Sequence, residues 1–158
     1  MVNISFNAIL NFMKSGKFLL WWGPVFIWTG VIYTLSALPT VETSKIYWWD
    51  FVLKKSAHVF EYAVLYFLLF RAINKIEVKL KKAKLTFLIK NGQLIRTKNF
   101  LLPLLLAFLY ALSDEYHQRF TPGRHAKLRD VGFDLLGMVL ISWFILKQLM
   151  IKNEAKTS

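Results

Sequence analysis

A polar passage at positions 110–137, YALSDEYHQRFTPGRHAKLRDVGFDLLG, concentrates the side chains of this sequence that are best suited to chemistry. Carboxylates beside a His can bind a divalent metal or transfer a proton, and neighbouring Arg side chains can hold a phosphate or a carboxylate. The spacing matches no established metal motif such as HExxH, so the sequence assigns no cofactor and leaves a divalent metal as an alternative. The candidate catalytic residues are Asp114, Glu115, His117 and Asp130.

The composition indicates that this passage belongs to a membrane protein. Of the 158 residues, 56% are hydrophobic and the mean hydropathy is +0.41, values that membrane-spanning segments explain. A net charge of +12 would suggest nucleic-acid binding in a soluble protein. In a membrane protein it indicates Lys and Arg in cytoplasmic segments, so no nucleic-acid partner is expected. The absence of Cys excludes disulfides, thiolate metal sites and a thiol nucleophile.

Four apolar segments are long enough to cross a bilayer as helices. The first has no charged residue and would extend about 30 Å, the thickness of one hydrocarbon core. The other three carry their ionisable residues near their ends. We therefore predict an all-α membrane protein with a single domain at 1–158, built as a four-transmembrane-helix bundle with spans at about 18–39, 56–73, 100–118 and 130–151.

The distribution of basic residues predicts the orientation of the bundle. The insert at 74–99 contains eight Lys or Arg residues against a single Glu, and Lys residues also lie on the terminal sides of the first and fourth spans. The positive-inside rule therefore places both termini and this insert in the cytoplasm. The polar passage then faces the extracytoplasmic side.

The cytoplasmic insert contains a pattern of its own. Two strand-like runs, KLTFLIK and QLIRTK, flank Asn91-Gly92, a pair that suits the positive φ angles of a type I′ turn. We therefore predict that this loop forms a small β-hairpin. A solvated basic loop that contacts anionic lipid headgroups is the alternative.

Helical spacing brings the polar side chains to one level of the predicted bundle. The second, third and fourth spans each carry polar residues three or four positions apart, so each set shares one helix face. An ionisable group within a span is costly unless it is paired or faces a wet cavity, which makes these residues candidates for a functional site. The candidate substrate-binding residues are His58, Tyr62, Gln118, Arg124, Arg129 and Asp134.

Each of these residues also has a purely structural interpretation. Asp130 could act only as a helix N-cap, and Asp114 and Glu115 could be solvated residues at a helix end. His117 and Arg124 could lie on the surface and attract lipid phosphate. A buried network of Asp and Arg that locks the helices together is the rival interpretation of the whole cluster.

At these residues the sequence resembles VanZ-like membrane proteins. The passage contains Asp-Glu-x-x-Gln, a Pro-Gly-Arg turn and two Asp residues before a Gly, as the family's signature does. Upstream, KKSAHVFEYAVLYFLL resembles the family's Lys-x-x-His-x-x-x-Tyr stretch, and LSALP resembles the close of its first helix. The resemblance covers about Tyr33 to Ile141, and Ile141 and the long 74–99 insert are departures from it. The matching positions are Ser36, Pro39, Lys55, His58, Tyr62, Asp114, Glu115, His117, Gln118, Pro122, Gly123, Arg124, Asp130, Asp134 and Gly137.

The resemblance implies a multi-pass plasma-membrane protein of bacteria, with a namesake associated with low-level resistance to teicoplanin-type glycopeptides. It implies no particular reaction, so the sequence does not decide whether the protein is an enzyme. The implied partners are the lipid bilayer and a lipid-linked envelope precursor or a glycopeptide. The sequence leaves the oligomeric state undetermined.

Two functional hypotheses follow from these observations. In the first, the protein binds or modifies a lipid-linked or cell-wall headgroup at an extracytoplasmic polar site. In the second, it is a non-enzymatic membrane accessory protein whose polar cluster is a structural ion-pair lock. A transporter is disfavoured because the polar groups gather at one end of the bundle and do not continue across the membrane.

Overall fold

The computed structural model describes residues 16–39, 47–82, 92–124 and 127–157, and nearly all of these residues are helical. No β-strand occurs within these ranges, and the predicted all-α class is confirmed. The four helices are α1 (Lys17–Ala37), α2 (Tyr47–Lys82), α3 (Gly92–Gln118) and α4 (Leu128–Thr157).

Three of these helices are long and apolar enough to cross a membrane by length and composition. The apolar stretches are Phe18–Ala37 in α1, Trp48–Asn74 in α2 and Arg129–Ile151 in α4. The predicted span at 100–118 lies in α3, where the polar residues from Asp114 onwards end the apolar run. The protein therefore contains at least three apolar helices of membrane-spanning length in the part of the chain that is described.

The insert at 74–99 differs from its prediction. Helix α2 continues through its first part to Lys82, and α3 already begins at Gly92. The hairpin prediction is wrong for its second strand, because the run after Asn91 forms the first turns of α3. The first strand, at 84–90, lies outside the described residues. A two-stranded hairpin is marginal by itself, whereas extending an existing helix adds one hydrogen bond for each residue that is ordered.

Helix α2 is the centre of the bundle. It packs against α1, α3 and α4, and its contact with α4 is the most extensive in the molecule. Its side chains also form the middle of the buried core, which small residues of α3 complete and which admits close helix packing. The core consists of Val25, Ile32, Tyr62, Leu65, Tyr66, Leu69, Ala72, Ala107, Ala111, Val131 and Met138.

Side-chain hydrogen bonds to backbone carbonyls join the helices within the apolar part. Trp28 on α1 donates its Nε1 proton to the carbonyl of Glu61 at 2.9 Å. Tyr110 on α3 donates to the carbonyl of Thr29 at 2.6 Å. Each bond satisfies a polar aromatic group that would otherwise lose a partner on burial.

Gly137 is the point of closest approach between α2 and α4. A Cβ atom built at this glycine would clash with the backbone carbonyl oxygen of Val59 and would lie 2.9 Å from its carbonyl carbon. Gly137 therefore lets the backbones of α2 and α4 come close. Ile141, one turn further along α4, is half-buried and packs against the core.

We expect Gly137→Ala to destabilise the protein, because backbone atoms of Val59 cannot move as easily as a flexible side chain. Overpacking of this kind lowers the free energy of unfolding by about 1–3 kcal/mol. The measurement is the thermal unfolding of the purified protein in detergent. Gly132→Ala is the matched control, since a Cβ there meets nothing within 4 Å. Equal melting temperatures for the two variants would contradict the close approach.

Candidate functional site

The first polar contact of the site joins α2 to α4. His58 Nδ1 lies 3.1 Å from Asp134 Oδ1. Asp134 is only 2% exposed, whereas His58 is partly exposed. A carboxylate that holds one ring nitrogen of a His fixes the ring orientation and leaves the other nitrogen, Nε2, for another partner.

A second polar contact joins α2 to α3. The Tyr62 hydroxyl donates to Asp114 Oδ2 at 3.1 Å, and Gln118 Nε2 donates to the same oxygen at 3.0 Å. Gln118 Nε2 also lies 3.4 Å from Ser36 Oγ on α1. All four side chains are buried, so α1, α2 and α3 meet at one hydrogen-bonded group. The other carboxylate oxygen of Asp114, Oδ1, is buried without a hydrogen-bond partner among the described residues.

The Pro-Gly-Arg turn folds the loop after α3 back over the end of α1. Gly123 has a φ of 75°, which an L side chain rarely adopts, and this is why a glycine suits the position. Arg124 then reaches α1, where its Nε donates to the Leu38 carbonyl at 3.2 Å and its Nη2 to the Leu35 carbonyl at 2.9 Å. The last carbonyls of a helix lack partners within the helix, so Arg124 acts as a cap for α1.

Two further contacts fix the start of α4. Lys55 on α2 forms an ion pair with Asp130, with 2.8 Å between Nζ and Oδ1. Glu115 accepts a hydrogen bond from the backbone N–H of Lys127, immediately before α4 begins. Arg129 is largely exposed and its Nε lies 4.0 Å from Asp130 Oδ1, a weaker contact than that of Lys55.

A cavity of about 370 Å³ opens between these contacts, at the end of the bundle where α1 and α3 finish and α4 begins. Half of its polar side chains come from α2, and α1, α3, α4 and the Pro-Gly-Arg turn supply the other half. Basic, acidic and neutral polar side chains share this wall. The lining residues with polar side chains are Ser36, Lys54, Lys55, His58, Glu61, Gln118, Arg124 and Asp130.

The structure divides the predicted site residues into three groups. In the cavity wall lie His58, Gln118, Arg124 and Asp130. Behind the wall, hydrogen-bonded to wall residues or to one another, lie Tyr62, Asp114 and Asp134. Outside the cavity lining lie Glu115, His117 and Arg129.

His117 takes a position that its spacing from Asp114 does not predict. Its ring stacks on that of Tyr33 on α1, with 4.4 Å between centroids and an interplanar angle of 23°. Its Nδ1 is buried and has no hydrogen-bond partner among the described residues. His117 therefore contacts α1 beside the site and contributes no side chain to the cavity.

The cavity is also lined by Lys54, Lys55, Ser36 and Glu61. None of these four was among the predicted site residues. The sequence contains a signal for part of this set, because Lys54, His58 and Glu61 follow the i, i+4, i+7 spacing of one helix face. Lys54 stands near the start of an apolar segment, where a Lys is ordinarily taken as an interface residue.

Among the described residues, no group of three or more His, Asp or Glu side chains converges in the way that metal ligands do. The candidate carboxylates instead have protein partners: Asp114 binds Tyr62 and Gln118, and Asp130 binds Lys55. The divalent metal therefore stays an untested alternative, and the arrangement most directly offers hydrogen bonds and charges to a polar ligand.

Comparison with known proteins gives a family match that covers nearly the whole chain. A family model described as VanZ/LLP1 matches residues 2–151. Comparisons with curated proteins and with solved structures give no significant match.

We expect Tyr62→Phe to lower the stability of the protein, because it removes one of the two side-chain donors to the buried carboxylate of Asp114. Loss of a buried hydrogen bond to a charged group costs about 1–3 kcal/mol. Thermal unfolding in detergent measures the effect. Tyr116→Phe serves as the control, since Tyr116 is 60% exposed. An unchanged melting temperature in Tyr62→Phe would show that the contact contributes little.

Proposed function

The chain belongs to the VanZ/LLP1 family, and from that membership we propose that it acts in the bacterial plasma membrane by binding or modifying the polar headgroup of a lipid-linked or cell-wall molecule. The observation that carries the proposal is the cavity of about 370 Å³ with charged and neutral polar walls at one end of an otherwise apolar bundle. This volume lies within the range of about 300–1,000 Å³ that is typical of ligand-binding pockets.

The proposed topology has four crossings, with both termini and the 74–99 insert in the cytoplasm. The apolar stretches of α1, α2 and α4 support three of the crossings. Exposed leucines at positions 101, 102, 105 and 109 of α3 support the fourth. The concentration of Lys and Arg in the insert supports the orientation, so that the cavity faces the cell envelope.

Exposed aromatic side chains near the cavity end support a position at the headgroup level. Trp48 and Trp49 at the start of α2 are 71% and 61% exposed, and Tyr116 and Phe120 at the end of α3 are 60% and 70% exposed. Trp and Tyr are enriched where a membrane meets water. A cavity at this level can receive the headgroup of a molecule that stays in the bilayer.

The resemblance extends the proposal to low-level resistance to teicoplanin-type glycopeptides. In that role the cavity would engage an envelope headgroup and reduce the effect of the drug at the cell surface. Modification of the headgroup would use His58, whose Nδ1 is held by Asp134. Its Nε2, which has no partner among the described residues, would then transfer the proton.

The second candidate function is that of a non-enzymatic accessory protein with a structural ion-pair lock. It is favoured by the number of polar groups that bind one another: Arg124 caps α1, Lys55 pairs with Asp130, and Asp114 binds two side chains. It leaves the cavity itself without a role, and for that reason we rank it second.

The topology can be tested by labelling, because the chain contains no Cys that would react in the background. We expect Pro122→Cys to react with a membrane-impermeant maleimide in intact cells. Ala155→Cys and Asn91→Cys should react only after the cells are permeabilised. Labelling of Asn91→Cys in intact cells would contradict the orientation. Labelling of both Pro122→Cys and Ala155→Cys in intact cells would show that α4 does not cross.

The functional proposal can be tested with His58→Gln in a glycopeptide-sensitive Gram-positive host, because Gln keeps a donor for Asp134 but lacks the free ring nitrogen. We expect the wild type to lower teicoplanin susceptibility and His58→Gln to lose this effect at equal membrane abundance and melting temperature. His117→Gln, which changes a side chain outside the cavity, should retain it.

Three outcomes would contradict parts of this proposal. Loss of the phenotype in strict proportion to protein abundance would favour the structural lock. Loss in His117→Gln alone would move the site away from the cavity. No effect of the wild type would remove glycopeptide resistance from the proposal and leave headgroup binding to be tested by mass spectrometry of co-purified lipids.

A further inference from the structure

One face of α2 supplies a line of polar side chains to the cavity. Lys54, Ala57, His58 and Glu61 follow the i, i+3, i+4, i+7 spacing of a single helix face, and all four line the cavity. Ala57 contributes little volume between Lys54 and His58. The wall therefore has a basic end, a central imidazole and an acidic end.

The two ends of this line lack ion-pair partners among the described residues. Lys55 is paired with Asp130, and Arg124 donates to the carbonyls of α1. By contrast, Lys54 and Glu61 form no ion pair or side-chain hydrogen bond within the described ranges, although both line the cavity and neither is fully exposed. A charged side chain in such a position is stabilised by a ligand of the opposite sign.

The separation of these two charges indicates what kind of ligand fits. Seven residues of α-helix place Lys54 and Glu61 about 10 Å apart along the axis, so they do not neutralise each other by direct contact. A simple anion at Lys54 would leave the Glu61 carboxylate with only the longer-range attraction of His58 and Arg124. A simple cation at Glu61 would leave the Lys54 ammonium without an ion-pair partner among the described residues. A ligand with both charges satisfies both side chains.

We propose that the cavity binds a zwitterionic ligand that carries a primary ammonium group, with the ammonium beside Glu61 and a phosphate or carboxylate beside Lys54. This inference rests on the proposed function, since it assigns the charge pattern of the headgroup. An ethanolamine-type or aminoacyl lipid headgroup has this chemistry, and so does a soluble zwitterion. Glu61 lies further from the start of α2 than Lys54, and therefore further from the end of the bundle. The ammonium would enter the cavity ahead of the phosphate or carboxylate.

The first arm of the test uses the purified full chain in detergent and isothermal titration calorimetry. The probes are phosphoethanolamine, phosphocholine, glycerol phosphate and ethanolamine. We expect phosphoethanolamine to bind at least about tenfold more tightly than each of the others, because each lacks one charge or the N–H donors of the ammonium. Equal binding of glycerol phosphate or of phosphocholine would overturn the proposal.

Variants at the two ends separate the contributions of the charges. Glu61→Gln should weaken phosphoethanolamine binding at least about tenfold and leave glycerol phosphate binding unchanged, and Lys54→Gln should weaken both. The matched control is Lys147→Gln, which removes an exposed Lys on α4, outside the cavity lining. Neither Lys54 nor Glu61 has an ion-pair partner among the described residues, so these variants should keep the wild-type melting temperature. A Glu61→Gln variant with unchanged phosphoethanolamine binding would also overturn the proposal.

The second arm identifies the source of the ligand and separates this inference from the proposed function. The full chain is reconstituted in nanodiscs of phosphatidylcholine doped with phosphatidylethanolamine or with phosphatidylglycerol, and retained lipids are measured by native mass spectrometry. Selective retention of phosphatidylethanolamine that depends on Glu61 supports a lipid headgroup, and phosphoethanolamine binding without such retention supports a soluble zwitterion. If phosphatidylglycerol is retained in a way that depends on Lys54 but not on Glu61, the zwitterion inference is overturned. The proposed headgroup binding is then still supported. If neither lipid is retained and no soluble probe binds, both the zwitterion inference and the proposed headgroup binding are overturned.

Discussion

The contact between the backbones of α2 and α4 at Gly137 determines where the polar side chains of this protein can meet. Val59 lies against the glycine, and His58 is its neighbour in the chain, while Asp134 is three residues before Gly137 on the same helix. With the two helix axes held this close, the His58 ring lies within hydrogen-bond distance of the Asp134 carboxylate. A side chain at position 137 would push the two helices apart and would separate His58 from Asp134.

The same constraint explains why so many ionisable groups are tolerated at one end of an apolar bundle. A buried carboxylate is costly unless donors surround it, and each buried carboxylate of the site has donors from another segment of the chain. These contacts stabilise the walls and leave the cavity between them with Lys54 and Glu61 available. The hydrogen-bonded groups and the proposed binding cavity are therefore two parts of one arrangement. The paired groups hold in place Lys54 and Glu61, which have no ion-pair partner among the described residues.

The sequence predicted the all-α fold class and three apolar helices of membrane-spanning length, because long apolar runs have few alternatives to a helix. It also placed His58 and Tyr62 on one face of α2, but it could not predict that they bind different helices, Asp134 on α4 and Asp114 on α3. The order of helices around a bundle is not encoded in the period of any single helix. His117 lies outside the cavity lining for a related reason, because a residue three positions from Asp114 can contact a third helix, here through Tyr33. The hairpin was predicted from a local turn signal, which the continuation of α3 overrides.

The length of α2 has a consequence for how the protein sits in its membrane. Its 36 residues extend about 54 Å, well beyond a hydrocarbon core of about 30 Å, so the helix must tilt or project from the bilayer. In the proposed topology, the exposed Trp48 and Trp49 would anchor its first turn at the interface. The Lys-rich sequence before Lys82 would favour water at the other end. A thinner or thicker bilayer would then change the tilt of α2 and leave its tryptophan end at the interface. In the proposed topology, the cavity near that end would thus stay at the level of the headgroups in membranes of different thickness.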